Sequence, residues 1–292
     1  MIGRRHWMGM ALAGVFAPRL AQAAGRGFGG LEGAFARIEA EVGGRLGVAV
    51  LDTGGGHYAG HRADERFPLT STFKLLAAAA TLARVDAGKE RLDRRVRFGR
   101  DKLVTYSPVT EPHAGGNGMT VAALCEATVT LSDNTAGNLL LEGLGGPAGL
   151  TQWLRSIGDS TTRLDRWETA LNEARPGDPR DTTTPAAMLG DLQLLLLGEV
   201  LSAGSRARLT QWLRDNKTGD ARLRAGLPQG WQAGEKTGSG GLGSTNDAGL
   251  IWPPGGAAPV LVAAYLTGSA APLAAREAAL AGVARAITAA MA

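Results

Sequence analysis

The sequence has a single cysteine, Cys125, among 292 residues, and aromatic side chains make up only 5% of it. One cysteine excludes an intramolecular disulfide, so a hydrophobic core must stabilise the folded state. Because Cys125 stands among apolar residues, we expect a buried, inert thiol. The basic stretches alternate with acids and lack the interleaved aromatics on which nucleic-acid bases stack, so we expect no nucleic-acid partner.

The sequence also lacks an apolar run long enough to span a membrane, so we expect no stable membrane association. The first residues contain the pair Arg4-Arg5, a short apolar run and the small-x-small sequence Ala21-Gln22-Ala23. This arrangement is typical of a cleavable export signal. We predict a signal peptide over residues 1–24, with the twin-arginine route indicated by the paired arginines, and an exported protein that is periplasmic or secreted.

The spacing of apolar residues beyond the leader predicts helices and strands in separate parts of the chain. LEGAFARIEAEV is amphipathic and helical, and residues 44–69 indicate two strands joined by a glycine turn. From Ser71 to about Asp215 the spacing is helical, and no strand is compelling. Strand patterns return in WQAGEKTGS, TNDAGLIWPP and PVLVAAYLTGS, before an alanine-rich helix from Pro272 to Met291.

This order of elements predicts an α+β fold. Three late strands make a poor sheet alone, so we expect them to pair with the early hairpin in a mostly antiparallel sheet flanked by helices. We place this sheet domain at residues 25–68 and 216–292, with an all-helical domain inserted at 69–215. The inserted domain contains a charged, turn-rich segment whose residues 163–181 we interpret as an omega-type loop, because such long loops are usually functional.

A serine and a lysine stand at the start of the helix predicted in PLTSTFKLLAAAATLARV. Pro68 ends the preceding segment, and Thr70 or Ser71 could cap the first free amides. Ser71 and Lys74 share a helix face near the positive end of the dipole, where an alkoxide is stabilised and a desolvated lysine can act as a base. A serine cap followed by a solvated lysine would explain the same residues.

Three further polar motifs follow in the order Ser132-Asp133-Asn134, Glu168 to Asn172, and Lys236-Thr237-Gly238. Each has an ordinary explanation, since Ser132 could cap a helix, Glu168 could be a solvated acid and Lys236 could end a strand in water. Together with the serine and lysine above, their order and spacing resemble the class A serine β-lactamases. The resemblance covers nearly the whole mature chain and includes the flanking stretches TYSPVTEPH, RWETALNEARPGDPRDTTTP and KTGSGGLGSTNDAGLIWPP.

The resemblance implies catalytic roles. Ser71 would attack the lactam carbonyl and form an acyl-enzyme, and its proton would pass to Lys74 or, through a water, to Glu168. The backbone amides of Ser71 and Ser239 would form the oxyanion hole. Ser132 would carry a proton to the departing lactam nitrogen, and Glu168 would deprotonate the water that hydrolyses the ester. The implied function is hydrolysis of penicillins and cephalosporins, with antibiotic resistance as its result and no cofactor or metal.

The resemblance also implies a binding surface for the substrate. No arginine lies between Lys236 and Pro272, so Arg222, in the segment before that strand, takes the role of the cation beside the substrate carboxylate. The implied substrate-binding residues are Tyr106, Asn134, Asn172, Arg222, Lys236, Thr237 and Ser239.

Two further features concern the loop and the substrate range. Arg166 and Asp181 resemble the ion pair that anchors the ends of the loop carrying Glu168. The disulfide-bearing carbapenem hydrolysers of this class have a cysteine just before the nucleophile, whereas this chain has Thr70. That route to carbapenem hydrolysis is closed.

Three alternatives stay open at this point. A penicillin-binding D,D-peptidase shares the serine, Ser-x-Asn and Lys-Thr-Gly motifs but should lack the loop with Glu168. A covalent β-lactam sensor would require a transmembrane anchor. A metal-dependent hydrolase would need ligands beyond His57, His61 and His113, which we interpret as surface histidines. We expect a monomeric enzyme whose partner is a small β-lactam.

Overall fold

The computed structural model describes residues 28–292, so the predicted signal peptide over residues 1–24 lies outside the described residues. The α-helices are α1 (Leu31–Val42), α2 (Phe73–Asp86), α3 (Val121–Thr130), α4 (Asn134–Leu144), α5 (Gly146–Ser156), α6 (Pro185–Leu196), α7 (Ala203–Arg214) and α8 (Leu273–Met291). The strands are β1 (Arg45–Asp52), β2 (Tyr58–His61), β3 (Phe67–Pro68), β4 (Arg95–Val96), β5 (Met119–Thr120), β6 (Thr182–Thr183), β7 (Gln232–Ser239), β8 (Thr245–Trp252) and β9 (Val260–Thr267).

The main sheet joins strands from both ends of the described chain in the order β2-β1-β9-β8-β7. All neighbouring strands are antiparallel, and Ala49 of β1 pairs with Ala263 of β9. The predicted α+β class and the pairing of early with late strands are confirmed. The exact domain boundaries stay a prediction.

Both faces of this sheet are buried, and the side chains of β1 alternate between two cores. Val48 and Val50 belong to a core with residues of α1 and α8, whereas Ala49 and Leu51 belong to a larger core shared with the helices of the inserted part. Burial on both faces explains why β1 and β9 are almost entirely apolar in sequence.

Helix α2 lies at the centre of the inserted part, with every residue from Phe73 to Leu82 buried. Small alanines in the middle of α2 let the neighbouring helices approach closely, and α2 contacts α3, α4, α5 and α7. The turn that leads into α2, Thr70–Thr72, contacts β7.

Three short strands contradict the prediction that no strand lies between Ser71 and Asp215. β4 pairs with β5, and β6 pairs with β3 across the end of the omega-type loop. A strand of two residues is too short to show an alternation of apolar and polar residues in the sequence. Its pairing therefore depends on tertiary contacts alone. Residues 161–181 are otherwise irregular, apart from a 3-10 turn at Ala170–Asn172 and one bridge between Arg163 and Thr182. Among residues 28–292, no helix is both long and apolar enough to cross a membrane.

Candidate active site

Ser71 lies in a 3-10 turn, Thr70–Thr72, that leads directly into α2. The prediction that Thr70 or Ser71 caps the helix is wrong, because Thr70 Oγ1 donates to the Leu69 carbonyl at 2.7 Å and no side chain caps either helical segment. Asn246 holds this turn from β8, since its Nδ2 donates to the Pro68 carbonyl at 2.8 Å and to Thr70 Oγ1 at 2.9 Å. The hydroxyl of Ser71 is therefore left for other partners.

Lys74 is fully buried, which excludes the interpretation as a solvated lysine. Its Nζ donates to Ser71 Oγ at 3.0 Å, to the Ser132 carbonyl at 2.8 Å and to Asn134 Oδ1 at 2.5 Å. Burial lowers the pKa of Lys74, and the nearby carboxylate of Glu168 raises it in part. The amine is thus brought nearer to the neutral form that could accept a proton from Ser71.

Ser132 is no helix cap either, because Asp133 occupies that position and its Oδ1 accepts from the Ala136 amide at 2.8 Å. Ser132 has a left-handed φ of +58°, which turns its side chain between two lysines. Lys74 Nζ donates to Ser132 Oγ at 3.3 Å and Lys236 Nζ at 3.1 Å. The sequence motif thus consists of two residues that line the cavity, Ser132 and Asn134, and one that caps α4, Asp133.

Lys236 lies within β7 and is fully buried, so the expectation of a strand end in water is wrong. Burial lowers the pKa of Lys236 well below its usual value, and the positive charges of Lys74 and Arg222 lower it further. Two lysines with lowered pKa values therefore flank the hydroxyl of Ser132.

Glu168 is brought to the nucleophile by the omega-type loop. Its Oε1 lies 3.5 Å from Ser71 Oγ and 3.0 Å from Lys74 Nζ, and its side chain is fully buried. The other oxygen, Oε2, accepts from Asn172 Nδ2 at 2.6 Å. The interpretation of Glu168 as a solvated acid is excluded by this geometry.

Asn138, on α4, positions the backbone of Glu168. It was not predicted from the sequence as a site residue. Its Oδ1 accepts from the Glu168 amide at 2.9 Å, and its Nδ2 donates to the Glu168 carbonyl at 3.1 Å. A signal was present, since Asn134 and Asn138 are four residues apart and so share a helix face.

The two ends of the loop meet at Asp181, which is buried. Asp181 Oδ2 accepts from Arg166 Nε at 2.5 Å, and Oδ1 accepts from the amides of Asp165 and Arg166 at 2.7 and 2.9 Å. The structure thus brings Arg166 and Asp181 together, as the resemblance implies.

The far wall is formed by β7, where Thr237 and Ser239 are two residues apart and face the same cavity. Arg222 is buried behind them. Its Nη2 donates to Ser239 Oγ at 2.7 Å, and its Nη1 donates to the carbonyls of Gly238 and Asn246 at 2.8 Å. A surface arginine is excluded, and a positive charge lies directly behind the cavity.

Gly238 allows β7 to pass close to the nucleophile turn. A Cβ at this position would lie 2.0 Å from Thr70 Oγ1 and 3.3 Å from the amide nitrogen of Ser71. Any larger residue would force the strand away from the turn. This approach brings the strand residue that precedes Ser239 against the turn that contains Ser71.

The polar groups surround a cavity of about 300 Å³. The residues that line it are Ser71, Tyr106, Ser132, Asn134, Asn172, Thr218, Arg222, Thr237, Gly238 and Ser239. Tyr106 is 54% exposed and forms part of the rim. Thr218 was missed, because a lone threonine in a loop carries no motif. A larger cavity of about 570 Å³, between the end of the omega-type loop and Arg45, contains none of the predicted residues.

The histidines do not form a metal site in the described part of the chain, where no group of three or more His, Cys, Asp or Glu side chains could hold an ion. His113 is exposed, as expected. His61 is only partly exposed and contacts Glu39 at 3.1 Å, so its interpretation as a surface residue is wrong. Cys125 is buried, and burial raises the pKa of its thiol.

Comparisons with known proteins agree with this geometry. A family model described as the β-lactamase enzyme family matches residues 30–291. The β-lactamase L2 of Stenotrophomonas maltophilia is 48% identical over 98% of each chain, and the β-lactamase AST-1 of Nocardia asteroides is 53% identical over 80% of this chain and 75% of that relative. A solved ancestral (GNCA) class A β-lactamase is 64% identical, has a TM-score of 0.87, and covers 88% of this chain and 98% of its own. The chain therefore belongs to the class A β-lactamase family.

Proposed function

We propose that this protein hydrolyses the β-lactam amide of penicillins and cephalosporins through an acyl-enzyme on Ser71, with a water activated by Glu168, and that this activity confers antibiotic resistance. The observation that carries the proposal is the position of the Glu168 carboxylate, 3.5 Å from Ser71 Oγ and buried. A carboxylate at this distance can hold a water against an ester formed on the serine. A hydrolase uses such a water to cleave the ester and release the product, whereas a protein that only traps the drug keeps the acyl group.

Acylation begins when Ser71 Oγ attacks the lactam carbonyl and loses its proton. Lys74 Nζ, at 3.0 Å, receives it directly, or Glu168 receives it through a water. The lowered pKa of Lys74 supports the first route. The amides of Ser71 and Ser239 stabilise the oxyanion, and each such donor contributes about 3 kcal/mol to transition-state stabilisation.

Collapse of the tetrahedral intermediate breaks the C–N bond of the lactam, so its nitrogen needs a proton. Ser132 supplies this proton through its hydroxyl, which lies within 3.3 Å of the amines of Lys74 and Lys236. Either lysine can replace the proton that Ser132 gives away. In deacylation, Glu168 takes a proton from the water that attacks the ester, and Asn172 orients Glu168 through its bond to Oε2.

The substrate carboxylate binds at the wall formed by Thr237 and Ser239, with the charges of Lys236 and Arg222 behind it. One hydrogen of Asn134 Nδ2 donates to the Thr105 carbonyl. The other donates to the acylamino side chain of the substrate. Tyr106 closes the entrance. Arg166 and Asp181 keep the loop, and with it Glu168, in place.

A D,D-peptidase or a covalent sensor is the alternative function, and the loop is the feature that argues against both. Glu168 and Asn172 would have no role in a protein whose acyl-enzyme persists. We further infer that the enzyme acts as a monomer and is exported to the periplasm or secreted, because the first residues have the composition of a cleavable leader.

The test is incubation of the protein without its leader with a chromogenic cephalosporin, followed by intact mass measurement. We expect steady hydrolysis and an unmodified protein mass at the end of the reaction. The Ser71→Ala variant serves as the control and should neither hydrolyse the drug nor gain mass. A stoichiometric adduct that persists on the wild-type protein would instead identify a peptidase or a sensor.

A further inference from the structure

The hydroxyls of Thr237 and Ser239, which form the wall proposed to bind the substrate carboxylate, have different hydrogen-bond partners behind them. Ser239 Oγ accepts from Arg222 Nη2 at 2.7 Å. A guanidinium can only donate, so the proton of Ser239 is free to point into the cavity. Ser239 is therefore fixed as a donor toward any bound anion.

Thr237 is backed instead by another hydroxyl, that of Thr218, at 2.5 Å. Behind Thr218 lies Asn216, whose Oδ1 accepts from the Thr218 amide and hydroxyl, both at 2.8 Å. Asn216 is buried, and its Nδ2 donates to the Glu235 carbonyl at 2.9 Å, which fixes Oδ1 toward Thr218. The three side chains form a chain of hydrogen bonds that ends at the cavity.

The direction of this chain depends on a single proton. When Thr218 donates to Asn216, Thr237 must donate to Thr218, and only the lone pairs of Thr237 face the cavity. A carboxylate beside Thr237 has no proton to offer and would be repelled by those lone pairs. Rotation of the Thr218 hydroxyl toward Thr237 releases the proton of Thr237 to the anion, and Asn216 Oδ1 keeps the Thr218 amide as its donor.

We propose that Thr218 is a positioning residue for the substrate carboxylate. When the anion binds, the Thr218 hydroxyl turns from Asn216 to Thr237, and Thr237 then donates to the anion. The inference rests on the proposed function in that it takes the substrate carboxylate to bind beside Thr237 and Ser239. The reversal of the Thr218 hydroxyl thereby lets the wall bind an anionic substrate without any movement of the backbone. It also strengthens the donor, because a hydroxyl that accepts a hydrogen bond donates more strongly.

The test compares two arylboronic acids that both add to Ser71, one with a carboxylate placed at this wall and one without it. We expect Thr218→Val to weaken binding of the first about two- to threefold and to leave the second unchanged, because Thr237 no longer accepts from Thr218 and is then a weaker donor to the anion. Thr218→Ser keeps the hydroxyl and should restore wild-type binding. For a cephalosporin with a free carboxylate, KM should rise in the valine variant by the same factor, with kcat nearly constant.

Equal weakening of both boronic acids, or no weakening of either, would show that Thr218 only packs against β7 and would overturn the proposal. Failure of the serine variant to restore binding would also overturn it. Thermal melting of each variant identifies a loss of folding. Absence of cephalosporin hydrolysis by the wild-type protein would contradict the proposed function alone, because the boronic acids report on the wall without turnover.

Discussion

Three buried ionisable side chains lie close together at the cavity. Lys74, Lys236 and Glu168 have almost no exposed surface. Burial of charges destabilises a fold unless each one is paired, and here Lys74 is the amine that pairs with Glu168, at 3.0 Å. Burial lowers the pKa of both lysines, and the charges of Lys74 and Arg222 lower that of Lys236 further.

At this scale we predict that Glu168→Ala accumulates the acyl-enzyme. Loss of the carboxylate removes the base for deacylation. It also removes the charge that raises the pKa of Lys74, so Lys74 stays available to accept the Ser71 proton. Intact mass should show one covalent adduct per protein within minutes, with turnover reduced about a thousandfold.

The double variant Ser71→Ala with Glu168→Ala is the matched control, since it keeps the altered cavity but has no nucleophile. It should remain without an adduct. Rapid turnover by Glu168→Ala would show that another group activates the water.

The sequence predicted the residues of the cavity that belong to short motifs, from Ser71 to Ser239. It did not predict Asn138, Asn246 or Thr218. Each of these is a single polar residue whose partner lies on another element, and only the folded chain brings the two together. The same reason explains the wrong cap at Ser71, because a preceding 3-10 turn cannot be distinguished from a helix start in sequence.

The omega-type loop is the element on which deacylation depends, and Asp181 joins its two ends by three hydrogen bonds. We predict that Asp181→Asn slows deacylation by about ten- to a hundredfold, because displacement of a catalytic group by an ångström has this effect. An asparagine keeps one acceptor for the amides of the loop but turns a second donor toward Arg166. Rapid-quench measurement of acyl-enzyme decay gives the rate.

Arg180→Gln is the control for this substitution, since Arg180 lies on the same loop, is exposed and pairs with Asp178. It should leave deacylation within about twofold of the wild-type rate, as for most exposed ion pairs. Unchanged deacylation in Asp181→Asn would show that the loop is held by its other contacts.

Among the elements, length decided which were predictable. Strands β7, β8 and β9 each have eight residues, and α8 has nineteen, enough to display a period. The two-residue strands display none. That the late strands pair with the early hairpin followed from the number of strands a stable sheet requires, whereas the choice of β9 as the partner of β1 did not follow from the sequence.

At the scale of the whole molecule, stability should depend on the protonation of Asp191, which is buried in α6 against Asp159. Burial raises the pKa of Asp191 well above its usual value, and the carboxyl of Asp159 raises it further. Arg155 partly opposes this shift, and Tyr265 lies nearby as a neutral phenol. The protonated form is favoured by folding, so its contribution is complete below the unfolded pKa of 3.8 and is lost as the pH rises through the folded pKa.

We therefore predict that Asp191→Asn, which is neutral at every pH, melts at a higher temperature than the wild type at pH 8. The advantage should shrink as the pH falls toward 4, where Asp191 is itself protonated. Asp101→Asn, at an exposed acid, is the control and should show no such trend. A difference in melting temperature that stays constant with pH would show that Asp191 does not titrate in this range.

The adjacency of β1 and β9 sets the order of events during biosynthesis. β1 is made well before its partner on one edge, residues 260–267, so the sheet cannot close until those residues have left the ribosome. Until then the first hairpin presents an open edge to other nascent chains, and non-local pairing of this kind is slow. A chain whose synthesis stops before β9 therefore has no route to the native sheet, whatever the state of its catalytic residues.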